Sequence, residues 1–210
     1  MLTLGISTSS NQFILALGED NRLIFNSGDY ESDKDIGALM LLALEKTQRS
    51  VQEIRRIVAD IGPGGTSRVR TGVSFANGLA FSLSIGVCPV SLFELTGKLL
   101  WERHQLPVVS TINSLKGNAY IGFFDEGAMQ PTRFGFIDQI LPDMAAHLDA
   151  FVVAGPHSAA IQALFPDKKI VLDNDLAGIA QIIMAHSDEW AARELKFPHI
   201  ALPITEKHFL

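Results

Sequence analysis

Two halves of this 210-residue chain run through the same order of elements, three strands and then helix, strand, helix, strand, helix, without sharing obvious sequence. In the first half, short apolar or alternating runs at 2–7, 12–18 and 22–27 are broken at 9–11 and 18–21, which reads as an antiparallel meander with tight turns. Residues 33–49 then predict a helix, with Asp33 as N-cap and basic residues in the last turn. IRRIVADI (54–61) predicts a strand, 69–84 a helix of small residues, 86–91 a strand and 92–104 a helix. The second half gives strands at 106–112, 118–125 and 131–137, a helix at 139–147, strands at 150–155 and 168–172, and helices at 157–164 and 175–186. HQLPVV supplies the break between the halves near 105–108.

A meander followed by alternating helices and strands implies a mixed sheet with crossover helices. Two such units in tandem are the α/β architecture of the actin-like, sugar-kinase-like ATPase class, a ribonuclease H-like fold, with lobes expected at 1–105 and 106–210. Apolar residues make up 47% of the chain, enough for one sizeable core or two small ones. A net charge of −6 argues against a chain that grips nucleic acid through its own surface. Cys88 is the one cysteine, so no internal disulfide forms, and its apolar setting in SIGVCPVS argues against a reactive thiolate. The opening MLTLGISTSSNQF lacks the basic start and long apolar stretch of a signal peptide, and nothing approaches a membrane span. The expectation is a cytoplasmic protein that does not associate with membranes.

The stretch DIGPGGTSRVRTG (60–72) stands between a strand and a helix. It fits neither the dinucleotide fingerprint nor the Walker loop, and no lysine follows. Two readings stay open. Backbone amides at the helix start form an anion site, strengthened by Arg68 and Arg70, in which Gly62, Gly64 and Gly65 contact a phosphate or nucleotide. In the other, Pro63 and these glycines only shape a tight, closely packed turn.

The same stretch carries a resemblance. GPGGTSRVRTGVSFANGLAFSLSIGVCPVSLFEL (62–95) resembles the bacterial TsaB (YeaZ-like) family, whose members carry G-P-G-S-F-T-G-L-R-x-G, a small-residue helix, a strand and a Ser-Leu-Glu segment. Gly62, Pro63, Gly64, Arg70, Gly72, Ala76, Gly78, Leu79, Ala80, Ile85, Ser91 and Glu94 fall where the family has them, without a gap, and LGISTSS resembles the family's opening I-D-T-S-T. The resemblance implies an actin-like fold without catalytic activity of its own. It implies pairing with the catalytic subunit TsaD and the ATPase TsaE to make threonylcarbamoyladenosine in tRNAs reading ANN codons, and a homodimer when TsaD is absent. Transfer RNA would be met only through that complex. No cofactor is expected to bind tightly, ATP and magnesium being used by the partner subunits.

Departures from the pattern bear on this. Active members of the class place an Asp at the end of the first strand of each half, and here those positions read Ser7 and Asn113, neither ionised. Residues 65–68 differ from the family's S-F-T-G, and in INSLKGNAY (112–120) only Tyr120 matches D-A-R-x-x-E-V-Y. A diverged paralogue that dimerises without TsaD, or a small-molecule kinase or ATPase with an altered site, are the alternatives.

Helix 69–84 has an apolar stripe of Val69, Val73, Ala76, Ala80 and Leu83, while Phe75 and Leu79 lie roughly 200° and 240° from Val73 at about 100° per residue. Residues 36–44 (IGALMLLAL) are also apolar on more than one side. Either the helices are sandwiched inside one domain, or Ile36, Leu39, Met40, Ala43, Val73, Phe75, Ala76 and Leu79 form a bundle shared between subunits. No metal site is expected, because the six histidines include no H-E-x-x-H and His186 with Glu189 lacks a third ligand nearby. The glycoprotease activity sometimes ascribed to this superfamily, and a G-x-S-x-G elbow, find no support. VAGPHSAAI (153–161) reads as a helix-start turn with a minor nucleotide-contact reading, and Asp173 and Asp175 as a cap before the last helix.

Overall fold

The computed structural model describes residues 1–10, 13–30 and 35–209. In chain order its elements are β1 (Leu2–Ser7), β2 (Ile14–Glu19), β3 (Arg22–Asn26), α1 (Ile36–Thr47), β4 (Ile54–Asp60), α2 (Thr66–Leu83), β5 (Val87–Val90) and α3 (Leu92–His104). There follow β6 (Val108–Asn113), β7 (Ala119–Asp125), β8 (Ala128–Met129), β9 (Arg133–Gly135), α4 (Ile137–Ala145), β10 (Ala150–Ala154), α5 (Ser158–Leu164), β11 (Lys169–Leu172), α6 (Ile179–Ala185) and α7 (Ser187–Ala191).

Two compact units emerge, Met1–Leu92 with Ala177–Ile204, and Phe93–Leu176 with Thr205–Leu210. They differ from the lobes 1–105 and 106–210 expected from the break at 105–108. Nearly all of α3 belongs with the second unit, and residues 177–204 return to the first.

The first unit has a five-stranded sheet in the order β3-β2-β1-β4-β5. β1, β2 and β3 are antiparallel neighbours, while β1, β4 and β5 run parallel. Asp20 and Asn21 turn the β2–β3 hairpin, both with positive φ (50° and 65°), as a two-residue turn matched to strand twist requires. Asp35 caps α1, its Oδ1 accepting from the amides of Gly37 (2.8 Å) and Ala38 (3.1 Å). Asp33, the expected cap, lies outside the described residues. Leu39, Met40 and Ala43 of α1, Val69, Val73 and Ala76 of α2, and Leu4 and Ile57 of the sheet share one core. α6, by contrast, packs on β1, β2 and β3, its Ile183 and Met184 lying against Gly5 and Gly18.

The second unit repeats the plan. Its strand order is β11-β10-β6-β7-β8, with β9 also paired to β7. β6 and β7 are antiparallel, and β6, β10 and β11 parallel. With β8 and β9, both paired to β7, counted as one broken strand and numbering begun at β6, this is the same 3-2-1-4-5 order as in the first unit. One sheet face is covered by α4 and α5 through Leu141, Ala145 and Ile161 on Val109, Ile121 and Val153. The other carries Leu100 with Val108, Phe124 and Val152. Asp173 and Asp175 do not cap the last helix. α6 begins after Gly178 without a side-chain cap, and Asp173 instead turns the chain after β11 by accepting the Asp175 amide at 2.9 Å.

Candidate functional site

The Gly-rich loop of the first unit is built on two parallel strand ends. β1 stops at Ser7 and β4 at Asp60, with Ile6 paired to Ala59, so the last side chains of the two strands meet. Ser7 Oγ donates to Asp60 Oδ2 (2.7 Å), and the Gly62 amide donates to Asp60 Oδ1 (2.8 Å). Asp60 is 1% exposed. Burial pushes its carboxyl above the usual carboxylate range, while the bonds from Ser7 and Gly62 and the nearness of Ser9 pull the other way.

The loop leaves this carboxylate by a backbone that only glycine adopts readily, Gly62 having φ +96°, with a cis bond to Pro63. Gly62 O then accepts from the Leu92 amide at 2.8 Å. Gly64 lies directly on Ser9, where a β-carbon would come within 2.6 Å of the Ser9 carbonyl oxygen. Gly72, in the second turn of α2, lies on Thr8, whose Oγ1 donates to the Arg68 carbonyl at 2.7 Å. The turn after β1 thus fills the notches that two glycines leave in the loop and in α2. Of the two readings of DIGPGGTSRVRTG, close packing accounts for Gly62, Gly64 and Gly72. Gly65, the N-cap of α2, offers no side-chain cap, and the Arg68 guanidinium folds back over it. Arg70 is exposed on α2. An anion contact would therefore have the first amides of α2 and Arg68 as donors, next to a buried carboxylate that already takes the Gly62 amide.

The ends of the two first strands offer magnesium no ionised ligand. Ser7 and Asn113 end β1 and β6, the equivalent strands of the two units, and neither can be ionised. The carboxylate beside Ser7 is buried and engaged. Among the described residues, no three His, Cys, Asp or Glu side chains could hold a metal ion. His186 Nδ1 meets Glu189 Oε2 at 3.2 Å.

The corresponding strand ends of the second unit are also tied to their own chain. The Gly155 amide donates to Asn174 Oδ1 (2.6 Å), and Gly155 lies against the Thr111 carbonyl. His157 precedes α5, and burial lowers its pKa. Asp173 Oδ2 accepts from Arg103 Nη1 and bonds His104 Nε2, both at 2.8 Å. Tyr120 packs on Phe134 (5.0 Å between centroids) and Phe209 (5.8 Å), and burial raises its hydroxyl pKa. Cys88 is buried, its thiol pushed up to about 11 by burial and by Glu194.

The residues expected at a subunit interface divide. Ile36, Leu39, Met40, Ala43, Val73 and Ala76 are buried in the first unit's core, and Phe75 and Leu79 are half-buried against it. The sandwiched reading of the two helices holds for these eight. The apolar surface of the pair comes instead from Leu41 (71% exposed) and Phe81 (69%).

Two mixed sheets of the same strand order, each with crossover helices, define an α/β protein of the actin-like class. The model of the family described as TsaD, tRNA N6-adenosine threonylcarbamoyltransferase, matches residues 31–201. The chain belongs to that family, and within it is a TsaB/YeaZ-like member. It is 28% identical over 147 residues to the tRNA threonylcarbamoyladenosine biosynthesis protein TsaB of Bacillus subtilis (strain 168), which covers 68% of this chain and 61% of that protein. It is 33% identical over 101 residues to a tRNA N6-adenosine threonylcarbamoyltransferase of Desulfovibrio desulfuricans, over 40% of this chain and 28% of that one. The matched stretch spans less than two thirds of either relative. Among solved structures, YeaZ from Pseudomonas aeruginosa superposes with a TM-score of 0.78 at 18% identity, over 97% of this chain and 99% of the other. A second structure, described as similar to peptidase YEAZ from the same organism, gives 0.77 at 20% identity over 97% and 98%. These two likenesses establish the fold. Among the described residues, no helix is long and apolar enough to cross a membrane.

Proposed function

We propose that this chain is a non-catalytic accessory subunit that pairs with a TsaD-type catalytic partner to make threonylcarbamoyladenosine next to the anticodon of tRNAs reading ANN codons. In this reading it works in the cytoplasm, forms a homodimer when alone, and meets tRNA only through the complex. TsaE joins the same assembly, and ATP and magnesium serve the partners.

One observation carries the non-catalytic part. The strand ends that would hold a metal and phosphates end in Ser7 and Asn113, and the neighbouring carboxylate, Asp60, is buried against Ser7 and the Gly62 amide. Such a chain keeps the fold as a binding surface. The similarity to a TsaB protein supports the partner. The relevant surface is the outer face of α1 and α2, where Leu41 and Phe81 stand in solvent.

The test is co-expression with the TsaD of the same source, followed by co-purification and mass measurement of the eluted complex. A one-to-one complex that replaces the homodimer is the expected result. A homodimer indifferent to TsaD would sink the accessory role.

A further inference from the structure

Residues 195–204 form a strap on the first unit. Leu195 bridges to Val87 of the edge strand β5, Asn77 of α2 donates to the Ala201 carbonyl and accepts from its amide (both 2.9 Å), and the Ile204 amide donates to Ile61 O at 2.8 Å. From Thr205 the chain belongs to the second unit, and there it is held in another way. Among the described residues, no backbone hydrogen bond joins 205–209 to the rest of that unit.

The alternation of β7 explains what this segment meets. Tyr120, Gly122 and Phe124 point to one face of the sheet. α3 covers Phe124 with Leu100, and Phe93 fills the space at Gly122 that a β-carbon would need. Phe93 is the second residue of α3. The aromatic pair beyond it, Tyr120 with Phe134 opposite on β9 (5.0 Å between centroids), is covered by Phe209 instead. Phe209 stacks on Phe134 (6.0 Å, 21° between planes) and meets Tyr120 edge-on (5.8 Å). Three residues earlier, Glu206 Oε1 accepts from Ser114 Oγ at 2.9 Å, beside the Tyr120 hydroxyl, whose pKa burial and this carboxylate both raise.

The segment is shaped for this grip. Glu206–His208 wind one 3-10 turn, closed by the Thr205 amide on His208 Nδ1 (3.1 Å) and the Phe209 amide on Glu206 O (2.9 Å). Residues three apart lie on one side of such a turn, so the acid and the ring meet the second unit together while Lys207 and His208 are exposed. This hook also leaves apolar surface beside it uncovered. Leu115, next to Ser114, is 73% exposed, and Phe136, two residues from Phe134 and in contact with the turn at Gly117, is 44% exposed. Exposed Lys116 adds a positive charge near the end that holds the acid.

We propose that Thr205–Phe209 is a self-ligand, seated on a docking site of the second unit for a segment of a partner protein that carries a carboxylate and an aromatic ring three residues apart. The partner's segment enters by displacing the hook. Its acid takes the place of Glu206 on Ser114, its ring takes the place of Phe209 on Tyr120 and Phe134, and its flanking apolar residues cover Leu115 and Phe136. Tethered in the same chain, the hook competes at an effective concentration of about millimolar, which keeps out segments that lack those added contacts. The site does not depend on the TsaD reading, whose surface lies on the first unit.

Fluorescence anisotropy of a labelled peptide with the sequence TEKHFL, that of residues 205–210, tests this on the full chain. Glu206→Ala with Phe209→Ala empties the site and keeps its walls. Far-UV circular dichroism checks the fold, and Phe209→Ala alone is the milder opening, with the same expected order. The emptied chain should bind the peptide at least about tenfold more tightly than the parent, whose hook competes. Alanine in place of the peptide's glutamate or phenylalanine should each weaken binding about tenfold. Ser114→Ala in the emptied chain should cost as much as the peptide's missing glutamate, and the two changes together no more than either. Equal binding by parent and emptied chain, or binding indifferent to the glutamate and the ring, would overturn the site. So would a folded, emptied chain that takes up no peptide, since the hook would then be packing alone. A parent mass in solution that Phe209→Ala halves would make a second copy the occupant and overturn the partner. None of these outcomes bears on TsaD co-purification.

Discussion

Ser7 Oγ reaches Asp60 Oδ2 at 2.7 Å across the seam between two parallel strands, one hydroxyl holding the end of β1 to the end of β4. The carboxylate passes this restraint on to the loop through the Gly62 amide at 2.8 Å. Ser7→Ala leaves a buried carboxylate one donor short and should cost about 1–3 kcal/mol in urea unfolding. The sign of its pH dependence follows from burial. A carboxyl held above its unfolded value of 3.8 stabilises the fold when protonated, a contribution fully present below that value and lost as pH rises through the folded one. Removing Ser7 raises the folded value further. The gap between variant and parent should therefore widen from acid toward neutral pH.

Three glycines of one region respond to the same substitution in opposite ways. A β-carbon at Gly64 would sit 2.6 Å from the Ser9 carbonyl oxygen, and one at Gly72 would sit 2.3 Å from Thr8 Oγ1. Gly64→Ala and Gly72→Ala force the turn after β1 away from α2 and should each cost about 1–3 kcal/mol. Gly78 meets nothing, so Gly78→Ala should stabilise the folded chain by about 0.5–1 kcal/mol through helix propensity alone. Thermal melts of the three variants check the ordering. If Gly64→Ala melted with the parent, the loop would not be held by Ser9.

The strands, their order and the duplication were legible because each buried strand is a short apolar run between turn residues, as in LTLGIS and AFVVA. The unit boundary was not. HQLPVV looks like a linker, but membership of a unit depends on where α3 and α6 pack, which no local signal carries. The strap was missed for a related reason. In KFPHIALPI two prolines and no period of 2 or 3.6 leave nothing to read, and its place is set by Asn77 and Val87, far away in sequence. Asp60 was visible as a lone acid ending IRRIVAD, and its burial was the missing fact. Hydrophobicity along a helix marks the side that faces its own core, as it does at Leu39, Met40, Val73 and Ala76. Phe75 and Leu79, opposite the main stripe of α2, turn out to pack back on the same core.

That difference can be measured. Phe75→Glu with Leu79→Glu places two charges against the first unit's core and should unfold or precipitate the chain. Leu41→Glu with Phe81→Glu changes two side chains already 71% and 69% exposed, so far-UV circular dichroism and the melting temperature should stay near the parent's. Homodimer mass and TsaD co-purification should both be lost. If the Leu41 and Phe81 pair left both associations unchanged, the outer face of α1 and α2 would not be the docking surface.

Asp173 supplies the pH response opposite to that of Asp60. Its side chain is 13% exposed and joins Arg103 and His104, both at 2.8 Å, to the turn after β11. Burial alone would raise its carboxyl, but the bonds from His104, Arg103 and the Asp175 amide outweigh it and hold the pKa below 3.8. A depressed carboxyl contributes stability that is present above the unfolded value and lost as pH falls through the folded one. Asp173→Asn should therefore cost about 1–3 kcal/mol at neutral pH. The difference from the parent should shrink as pH drops below about 4, where the parent's own carboxyl begins to take up its proton. Urea midpoints of the two proteins at pH 7 and at pH 3 provide the comparison. A gap of equal size at both would mean that the contribution is shape rather than charge, and that Arg103 and His104 are held by their own helix.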